Sequence, residues 1–432
     1  MPIGKDVSDW ISEGATREQI QLAIDTAKPF ADSEIVGQGE IKDWRSKLLT
    51  TARGMPKAVL ANAITALRLA PDWAGVLGFN EFTLTTVALK SPPWNHNGSE
   101  GCEWTDHEDR LTADWLQHRD ISVSVEVGGQ AVQAVARDRR FHPVRNYLEE
   151  LEWDAVERLD YWLNNYLGVE LNDYSSAVGA RWLISAIARI YKPGTKADCC
   201  LILEGKQGIR KSTALKVLAG DWFTDEIAEL GSKDAAMQTR GVWIIEIAEL
   251  DSMSKAEVGK IKGFMSRATD RFRPPYGRRL VDSPRQCIFA GSVNHTTYLR
   301  DETGGRRFWP VSCGEIRIDD LRRDRDQLWA EARQRFMAGE PWWLDPGHLM
   351  EQAEEEQACR CDEDPWQELI ASWAASRVDV SISEVLSLCL EKPRAQWTQM
   401  DKTRIARCLT SMGWRRHKTG PRAQREWRYR LD

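Results

Sequence analysis

Residues 199–213 read CCLILEGKQGIRKST, and this stretch decides the fold. The apolar run 199–203 is typical of a strand buried on both faces of a parallel sheet, and a helix is predicted over 213–218. Between them lies a loop with glycines, whose backbone N–H groups can wrap a phosphate chain because side chains do not intrude. Strand, glycine-bearing loop and helix in this order predict a phosphate-binding loop in an α/β fold.

The loop supplies the candidates for nucleotide binding, which are Gly205, Gly208, Lys211, Ser212 and Thr213. A lysine at this place can reach the β- and γ-phosphates, and a serine hydroxyl after it can ligate Mg²⁺. The motif G-x-x-x-x-G-K-[ST] expects glycine directly before the lysine, where this chain has Arg210. By itself the loop is therefore as compatible with an ordinary strand-to-helix turn as with a nucleotide site.

A second apolar run, GVWIIEIAEL over 241–250, predicts a strand that delivers carboxylates to the edge of the same sheet. Glu246 is the candidate Mg²⁺ ligand. Glu249, or alternatively Asp251, is the candidate for orienting and deprotonating the attacking water. The alternative interpretation is that these carboxylates are solvated side chains at a strand end.

A third apolar run, 286–290, leads to Asn294, which at a strand end can hold the γ-phosphate or its attacking water. Arg306 and Arg307 follow a glycine turn, and guanidinium groups can stabilise charge on a transferring phosphoryl group, often across a subunit boundary. A turn asparagine and a solvated arginine loop are the alternatives. The nearby sequence also contains Arg271, Arg273, Arg278, Arg279 and Arg285.

The composition is that of a globular protein, with 42% hydrophobic and 29% charged residues and no apolar run long enough to span a membrane. The N-terminus lacks an apolar signal segment, so we expect a cytoplasmic protein without a membrane partner. Seven acidic residues fall within 351–364, a pattern typical of a linker or a solvated helix end. The predicted domains are a mainly helical N-terminal domain (1–138), a phosphate-loop domain (139–345), an acidic linker (346–364) and a basic tail (365–432).

The formal charge is distributed unevenly along the chain. Residues 391–432 hold twelve Lys and Arg against four acids, a local charge of +8, so the total of −6 leaves −14 for the rest. Predicted helices over 381–390 and 402–412 and a ribbon over 414–429 indicate a winged-helix-like DNA-binding module. A solvated basic face, or a docking patch for the acidic linker, is the alternative. The candidate phosphate contacts are Lys402, Arg404, Arg415, Arg416 and Lys418.

With these residues in place, the chain resembles the virulence-associated E family of P-loop ATPases from phages, plasmids and pathogenicity islands, which is similar to superfamily 3 helicases and the AAA+ class. The matching stretches are FHPVRNYLEELEWD, LEGKQGIRKST, WIIEIAEL, KGFMSRATDRFRPPYGRR, FAGSVN and LRDETGGRRFWPV. The resemblance implies an α/β P-loop NTPase core of the AAA+/superfamily 3 type, a mostly helical N-terminal domain and a small winged-helix-like C-terminal domain.

The resemblance also implies a hexameric ring that hydrolyses ATP with Mg²⁺ at subunit boundaries and acts on single- or double-stranded DNA. The implied roles are Walker A for Lys211 and Ser212, Walker B for Glu246 with Glu249, sensor for Asn294, and trans-acting residues for Arg306 and Arg307. Residues 4–20 resemble the tail of a TOPRIM-type primase segment, which implies that primase activity resides in a separate primase partner or is absent.

The function expected from these features is that of a DNA-dependent ATPase, a replicative helicase or helicase loader of a phage or mobile element. A nucleotide-switched DNA-binding protein with little hydrolysis is one alternative, for which Arg210 is the chief reason. A non-motor P-loop phosphotransferase is the other. Such an enzyme would turn over without DNA.

Overall fold

The structure is a computed structural model that describes residues 43–95, 100–226, 233–248, 255–273, 280–294, 305–360, 365–419 and 426–431. It divides into two compact units, Met1–His142 and Pro143–Asp432. The sequence TREQIQLAIDTA over 16–27, which is typical of a helix with Thr16 as its N-cap, lies outside the described residues. In the part of the chain that the structure describes, no helix combines the length and the apolar character needed to cross a membrane.

The first unit packs helices with a small sheet. Its described elements are α1 (Leu60–Leu69), β1 (Leu77–Asn80), β2 (Thr85–Ala88), α2 (Asp106–Gln117), α3 (Val125–Ala136) and β3 (Arg140–Phe141). Strand β1 lies between β2, which runs antiparallel to it, and β3, which runs parallel. The buried Trp73 ring lies 5.6 Å, between ring centroids, from both Trp94 and Trp115, so this core is built on tryptophans.

The second unit is built on a parallel sheet of five strands in the order β10-β4-β9-β6-β5. The strands before the tail are β4 (Cys200–Glu204), β5 (Phe223–Thr224), β6 (Ile244–Ile247), β7 (Thr269–Phe272), β8 (Val281–Pro284), β9 (Ile288–Val293) and β10 (Phe308–Ser312), of which β7 and β8 form a separate antiparallel pair. Every residue of β4, β6 and β9 is buried, as the apolar runs predict for central parallel strands.

Helices pack against this sheet. In chain order they are α4 (Pro143–Glu150), α5 (Trp162–Leu167), α6 (Asp173–Tyr191), α7 (Lys211–Ala219), α8 (Lys233–Gln238), α9 (Lys255–Met265), α10 (Ile318–Met337) and α11 (His348–Ala358). Alternate strand residues, such as Ile202 and Phe289, form one cluster with Ile261 and Phe264 of α9. Helix α10 packs on α6 and α7, and its Trp329 stacks 4.1 Å from Trp243.

The acidic segment, for which the sequence predicts a linker over 346–364, contains helix α11 and packs against β10. Ala353 is buried, and the buried Gln357 donates to the Phe308 carbonyl at 2.8 Å. The acidic residues lie on the outer side of this helix, where Glu351, Glu354 and Glu355 are exposed. The charge count therefore reports a solvated helix face, and the segment does not run free of the core.

The tail forms a small cluster of its own. Its elements are α12 (Pro365–Ala374), β11 (Asp379–Ser381), α13 (Ile382–Glu384) with a π-helical turn over Val385–Cys389, α14 (Gln399–Ser411), β12 (Trp414–Thr419) and β13 (Glu426–Leu431). The strands pair in the order β11-β13-β12, and both pairings are antiparallel. Ile370, Leu386, Ile405, Leu409 and Tyr429 are buried together.

Candidate active site

The region outside the carboxyl ends of β4 and β9 is a candidate ligand crevice. These strands are neighbours, but the chain leaves β4 toward β5 on one side and leaves β9 toward β10 on the other. In open α/β sheets, such a reversal of strand order places the ligand site outside the carboxyl ends of the strands. The loop that follows β4 and Asn294, which follows β9, both lie at this crevice.

The loop backbone has a positive φ at Gly205 (+147°), Gly208 (+84°) and Arg210 (+74°). The φ of Gly205 strains any other residue, and a Cβ atom there would also lie 2.6 Å from Cδ1 of Ile209, so the position favours glycine. Arg210 is the residue that precedes α7, and it adopts the left-handed conformation that glycine reaches without steric cost. The chain therefore keeps the backbone path expected with glycine, at a cost of about 1–2 kcal/mol.

Lys211 points back into the loop. Its ammonium group donates to the carbonyls of Gly205 at 2.6 Å and Lys206 at 3.1 Å, and to Asn294 Oδ1 at 3.3 Å. The lysine is 7% exposed. The structure thus brings together Lys211 and Asn294, which the sequence places 83 residues apart.

Ser212 and Glu246 also meet at this crevice. The Ser212 hydroxyl donates to Glu246 Oε1 at 2.7 Å. Glu246 is 1% exposed, and its other oxygen, Oε2, is buried without a hydrogen-bond partner among the described residues. Thr213, the remaining loop candidate, is exposed in the first turn of α7.

A divalent cation fits this pair of side chains. A buried carboxylate oxygen without a partner is costly, and a cation beside it would remove that cost. The described residues contain no group of three or more His, Cys, Asp or Glu that could hold a metal. Mg²⁺ is commonly bound through one or two carboxylates together with water and substrate phosphates, so a hydroxyl and a single carboxylate suit it. Glu249 and Asp251 lie outside the described residues.

Arg306 and Arg307 lie at the amino-terminal end of the parallel strands, opposite the crevice. They precede β10, whose first residue Phe308 pairs with Cys200, the first residue of β4. A strand of this length spans about 13 Å, so neither arginine is near the carboxyl-end crevice of its own chain. Arg306 is exposed, whereas Arg307 is half-buried with its Nε 3.3 Å from Asp198 Oδ2.

Comparison with known proteins places this site in a family. Residues 148–362 match the family model described as the virulence-associated protein E-like domain. The chain carries a VapE-like domain. The match includes β4 to β10 and every residue of the crevice, and it confirms the family that the sequence motifs resemble.

Solved structures similar to the chain include apo structures of the NrS-1 C terminal region. One is 12% identical with a TM-score of 0.45 and covers 82% of this chain and 95% of that chain. Another, an A form, is 14% identical with a TM-score of 0.39 and covers 66% of this chain and 78% of that chain. No curated protein matches the chain.

A buried polar cluster lies beneath the loop that follows β4 in the VapE-like domain, and no sequence motif predicts it. Arg360 Nη2 donates to Glu204 Oε2 at 2.8 Å, and Arg360 Nε donates to Glu204 Oε1. Ser312 Oγ donates to the same carboxylate at 2.8 Å. Burial opposes the charge of Arg360, but hydrogen bonds with Glu204 and Glu356 raise the pKa of Arg360 above its ordinary value. A glutamate at the end of an apolar strand is the one sequence signal for this cluster.

Cys313 lies next to this cluster. Burial raises the pKa of the Cys313 thiol to about 12, and the charge of Glu204 acts in the same direction, while Lys211 opposes them. The Cys313 thiol is therefore protonated at neutral pH, and a protonated thiol is a poor nucleophile.

Arg285, one of the arginines that the sequence groups near the site, has a structural role. It is fully buried, and its Nε and Nη2 donate to the Asp270 carboxylate at 2.5 and 2.8 Å. Its Nη1 donates to the Phe264 carbonyl. Arg271 is exposed and lies 3.3 Å from Asp282. Arg278 and Arg279 lie outside the described residues.

The tail candidates follow the matched VapE-like domain and do not share one surface. Lys402 is exposed on α14, and the Arg404 guanidinium lies 3.9 Å from the ring centroid of Trp366. Arg416 and Lys418 alternate with Arg415 along β12, and side chains alternate between the two faces of a strand. Arg416 and Lys418 therefore share one face, and Arg415 lies on the other.

Proposed function

We propose that this protein is an ATPase that acts with Mg²⁺ and DNA, in the manner of a replicative helicase or helicase loader of a phage or mobile element. The observation that carries the proposal is the meeting of Lys211, Ser212, Glu246 and Asn294 at one crevice. These residues come from three separate strands and their following loops, in the positions that phosphoryl transfer requires.

Each side chain has a defined task in this proposal. ATP phosphates enter the loop, where backbone N–H groups at the start of α7 bind them and Lys211 turns from its carbonyl partners to the β- and γ-phosphates. Bound Mg²⁺, held by Ser212 and Glu246, would neutralise charge on the phosphate oxygens. Asn294 orients the γ-phosphate or its attacking water. Glu249 remains the predicted base for that water.

The position of Arg306 supports a ring. A guanidinium at the amino-terminal end of the strands cannot serve the crevice of its own chain, but an exposed arginine can reach the site of a neighbouring subunit. Arg307 is held by Asp198, so Arg306 is the better candidate for the trans-acting role. A hexamer with ATP at its subunit boundaries is the assembly that the family resemblance implies.

The left-handed backbone at Arg210 favours the ATPase over a nucleotide-switched protein with little hydrolysis, because Arg210 keeps the loop path expected with glycine. DNA as the activating ligand rests on the family resemblance and on the basic tail. A phosphotransferase would turn over without DNA, which makes DNA stimulation the discriminating measurement.

The test is ATP hydrolysis by the full chain, with and without single-stranded DNA, for the wild type, Lys211→Ala and Lys206→Ala. Lys206 is a matched control, because its exposed side chain lies in the same loop while only its carbonyl accepts from Lys211. We expect DNA to stimulate the wild type, Lys211→Ala to lose activity by at least about 100-fold, and Lys206→Ala to keep it. An unchanged rate in Lys211→Ala would refute the assigned site, and a rate independent of DNA would refute the motor function.

A further inference from the structure

The hairpin of β12 and β13 places an exposed tryptophan next to two cations. Lys418 pairs with Trp427 in the register, and Arg416 pairs with Tyr429, so these four side chains lie on one face. Tyr429 is 4% exposed in the core of the tail, whereas Trp427 is 44% exposed. The buried end of this face anchors the hairpin, and the other end presents an indole ring to solvent.

The two cations lie directly against this ring. The Arg416 guanidinium carbon is 4.0 Å from the Trp427 ring centroid, and the Lys418 ammonium is 4.6 Å from it. Such contacts hold an exposed indole in a defined orientation. They also place two positive charges beside an exposed aromatic surface.

The two basic residues of β13, Arg428 and Arg430, alternate with Trp427 and Tyr429 and lie on the other face of the hairpin, where Arg428 is engaged in ion pairs. Arg428 Nη2 donates to Asp379 at 3.0 Å and to Glu384 at 2.8 Å. Through these ion pairs Arg428 joins β13 to β11 and α13. The positive charge on the Trp427 face therefore comes from Arg416 and Lys418, both of them exposed.

We propose that Trp427 stacks on an unpaired nucleobase of single-stranded DNA while Arg416 and Lys418 contact the adjacent phosphates. This inference rests on the proposed function, since it specifies which form of DNA the tail binds. An aromatic side chain with neighbouring cations is the usual platform for single strands, because every base has a face on which to stack. Bases within a closed duplex are already stacked on one another, so the same ring gains nothing there.

The experiment measures the affinity of the full chain for three labelled DNAs by fluorescence anisotropy at one fixed salt concentration. The first is an oligothymidylate of about 16 nucleotides, a length within the range of single-strand sites. The second is an abasic strand of the same length, which keeps the phosphates and lacks the bases. The third is a duplex whose two strands are joined at each end by a non-nucleotide linker, so that it has no unpaired base.

Trp427→Ala should bind the oligothymidylate about 5- to 150-fold more weakly than the wild type, which is the loss expected for one stacked base. Its affinity for the abasic strand and for the closed duplex should stay within about twofold of the wild type, because neither offers a base to stack on. Trp427→Phe, which keeps an aromatic face, should retain most of the affinity. Arg415→Gln, on the opposite face, is the charge control and should weaken binding of thymidylate and abasic strands equally.

The outcomes separate this inference from the function that it rests on. Equal losses by Trp427→Ala on the thymidylate and abasic strands would show that the ring merely holds the cations, and would overturn the proposal. No loss on either strand would overturn it as well, with the ATPase and DNA stimulation untouched. If the wild type binds none of the three DNAs, the DNA part of the proposed function fails with it. A thermal unfolding midpoint equal to that of the wild type confirms that the variant tail is folded.

Discussion

Replacing Arg360 with methionine should loosen the base of the loop that follows β4, which is the proposed nucleotide site. Arg360 holds both carboxylate oxygens of Glu204, which is 1% exposed and directly precedes Gly205. Methionine is long and apolar, so it fills much of the same space while leaving the carboxylate without its counter-charge. The change therefore tests whether a residue in the acidic segment contributes to the nucleotide site.

The size of the effect follows from the contacts that remain. Removing one partner of a buried ion pair costs about 3–5 kcal/mol. The side chain of Arg360 is 11% exposed, and Ser312 Oγ still donates to Glu204 Oε2 at 2.8 Å, so the carboxylate is not left bare. We therefore expect a loss near the lower limit, about 3 kcal/mol. At about 2–4 °C per kcal/mol, the unfolding midpoint should fall by roughly 6–12 °C.

The assay is thermal unfolding followed by circular dichroism, together with the affinity for ATP measured by titration below the midpoint. Glu356→Gln is the control, because Glu356 also contacts Arg360 but is 38% exposed and should contribute less than about 1 kcal/mol. The double variant Glu204→Gln, Arg360→Met should recover most of the loss, since it removes the unpaired charge. A midpoint within about 1 °C of the wild type in Arg360→Met, or a double variant less stable than the single one, would refute the reasoning.

Three further changes test other parts of the structure. Asp270→Asn should lower the free energy of unfolding by about 3–5 kcal/mol in urea titrations, because it leaves Arg285 buried without a counter-charge; a loss below about 1 kcal/mol would contradict this. Hydrogen bonds from Lys392 and Thr398 lower the pKa of Asp401 from 3.8 to about 2, so Asp401 stabilises the fold above pH 3.8 and this contribution disappears as the pH falls toward 2. Asp401→Asn should accordingly unfold more easily than the wild type at pH 7 and by a much smaller margin at pH 2, and a difference as large at pH 2 as at pH 7 would be inconsistent with the assigned pairing. Mixing Arg306→Ala with Lys211→Ala, each inactive alone, should restore part of the ATP hydrolysis in a ring, since some boundaries then combine an intact arginine with an intact lysine; a mixture that stays inactive would argue against a trans-acting Arg306.

One segment departs from its local sequence pattern because a distant residue supplies its hydrogen bonds. The sequence over 155–167 has the spacing of a helix, but the structure has one only from Trp162 to Leu167. Upstream of it, the Arg158 and Leu159 N–H groups donate to the buried Glu331 carboxylate at 2.6 and 3.0 Å. Backbone donors that are satisfied in this way do not need a helix. Glu331 is about 170 residues away in the sequence, so no local pattern could have shown it.

The central strands and the loop were predictable because their signals are local. A fully apolar run of five residues is typical of a strand buried on both sides, and glycines with a following lysine and serine favour a phosphate-binding loop when they lie between a strand and a helix. The uneven charge is equally a property of the sequence, and it separates the basic tail from the acidic body. The family resemblance also rests on short motifs, and the match over 148–362 confirms it.

The sequence by itself thus determined the strands, the loop and the family, because each depends on residues close together in the chain. The tertiary structure decided which distant side chains meet. It placed Asn294 against Lys211, buried Arg285 on Asp270, and put Arg306 at the amino-terminal end of the strands. Strand order and register set these neighbours. The hydrogen bonds that pair strands are made by the backbone, which is the same for every residue, so the local sequence of a strand does not show which strand lies beside it.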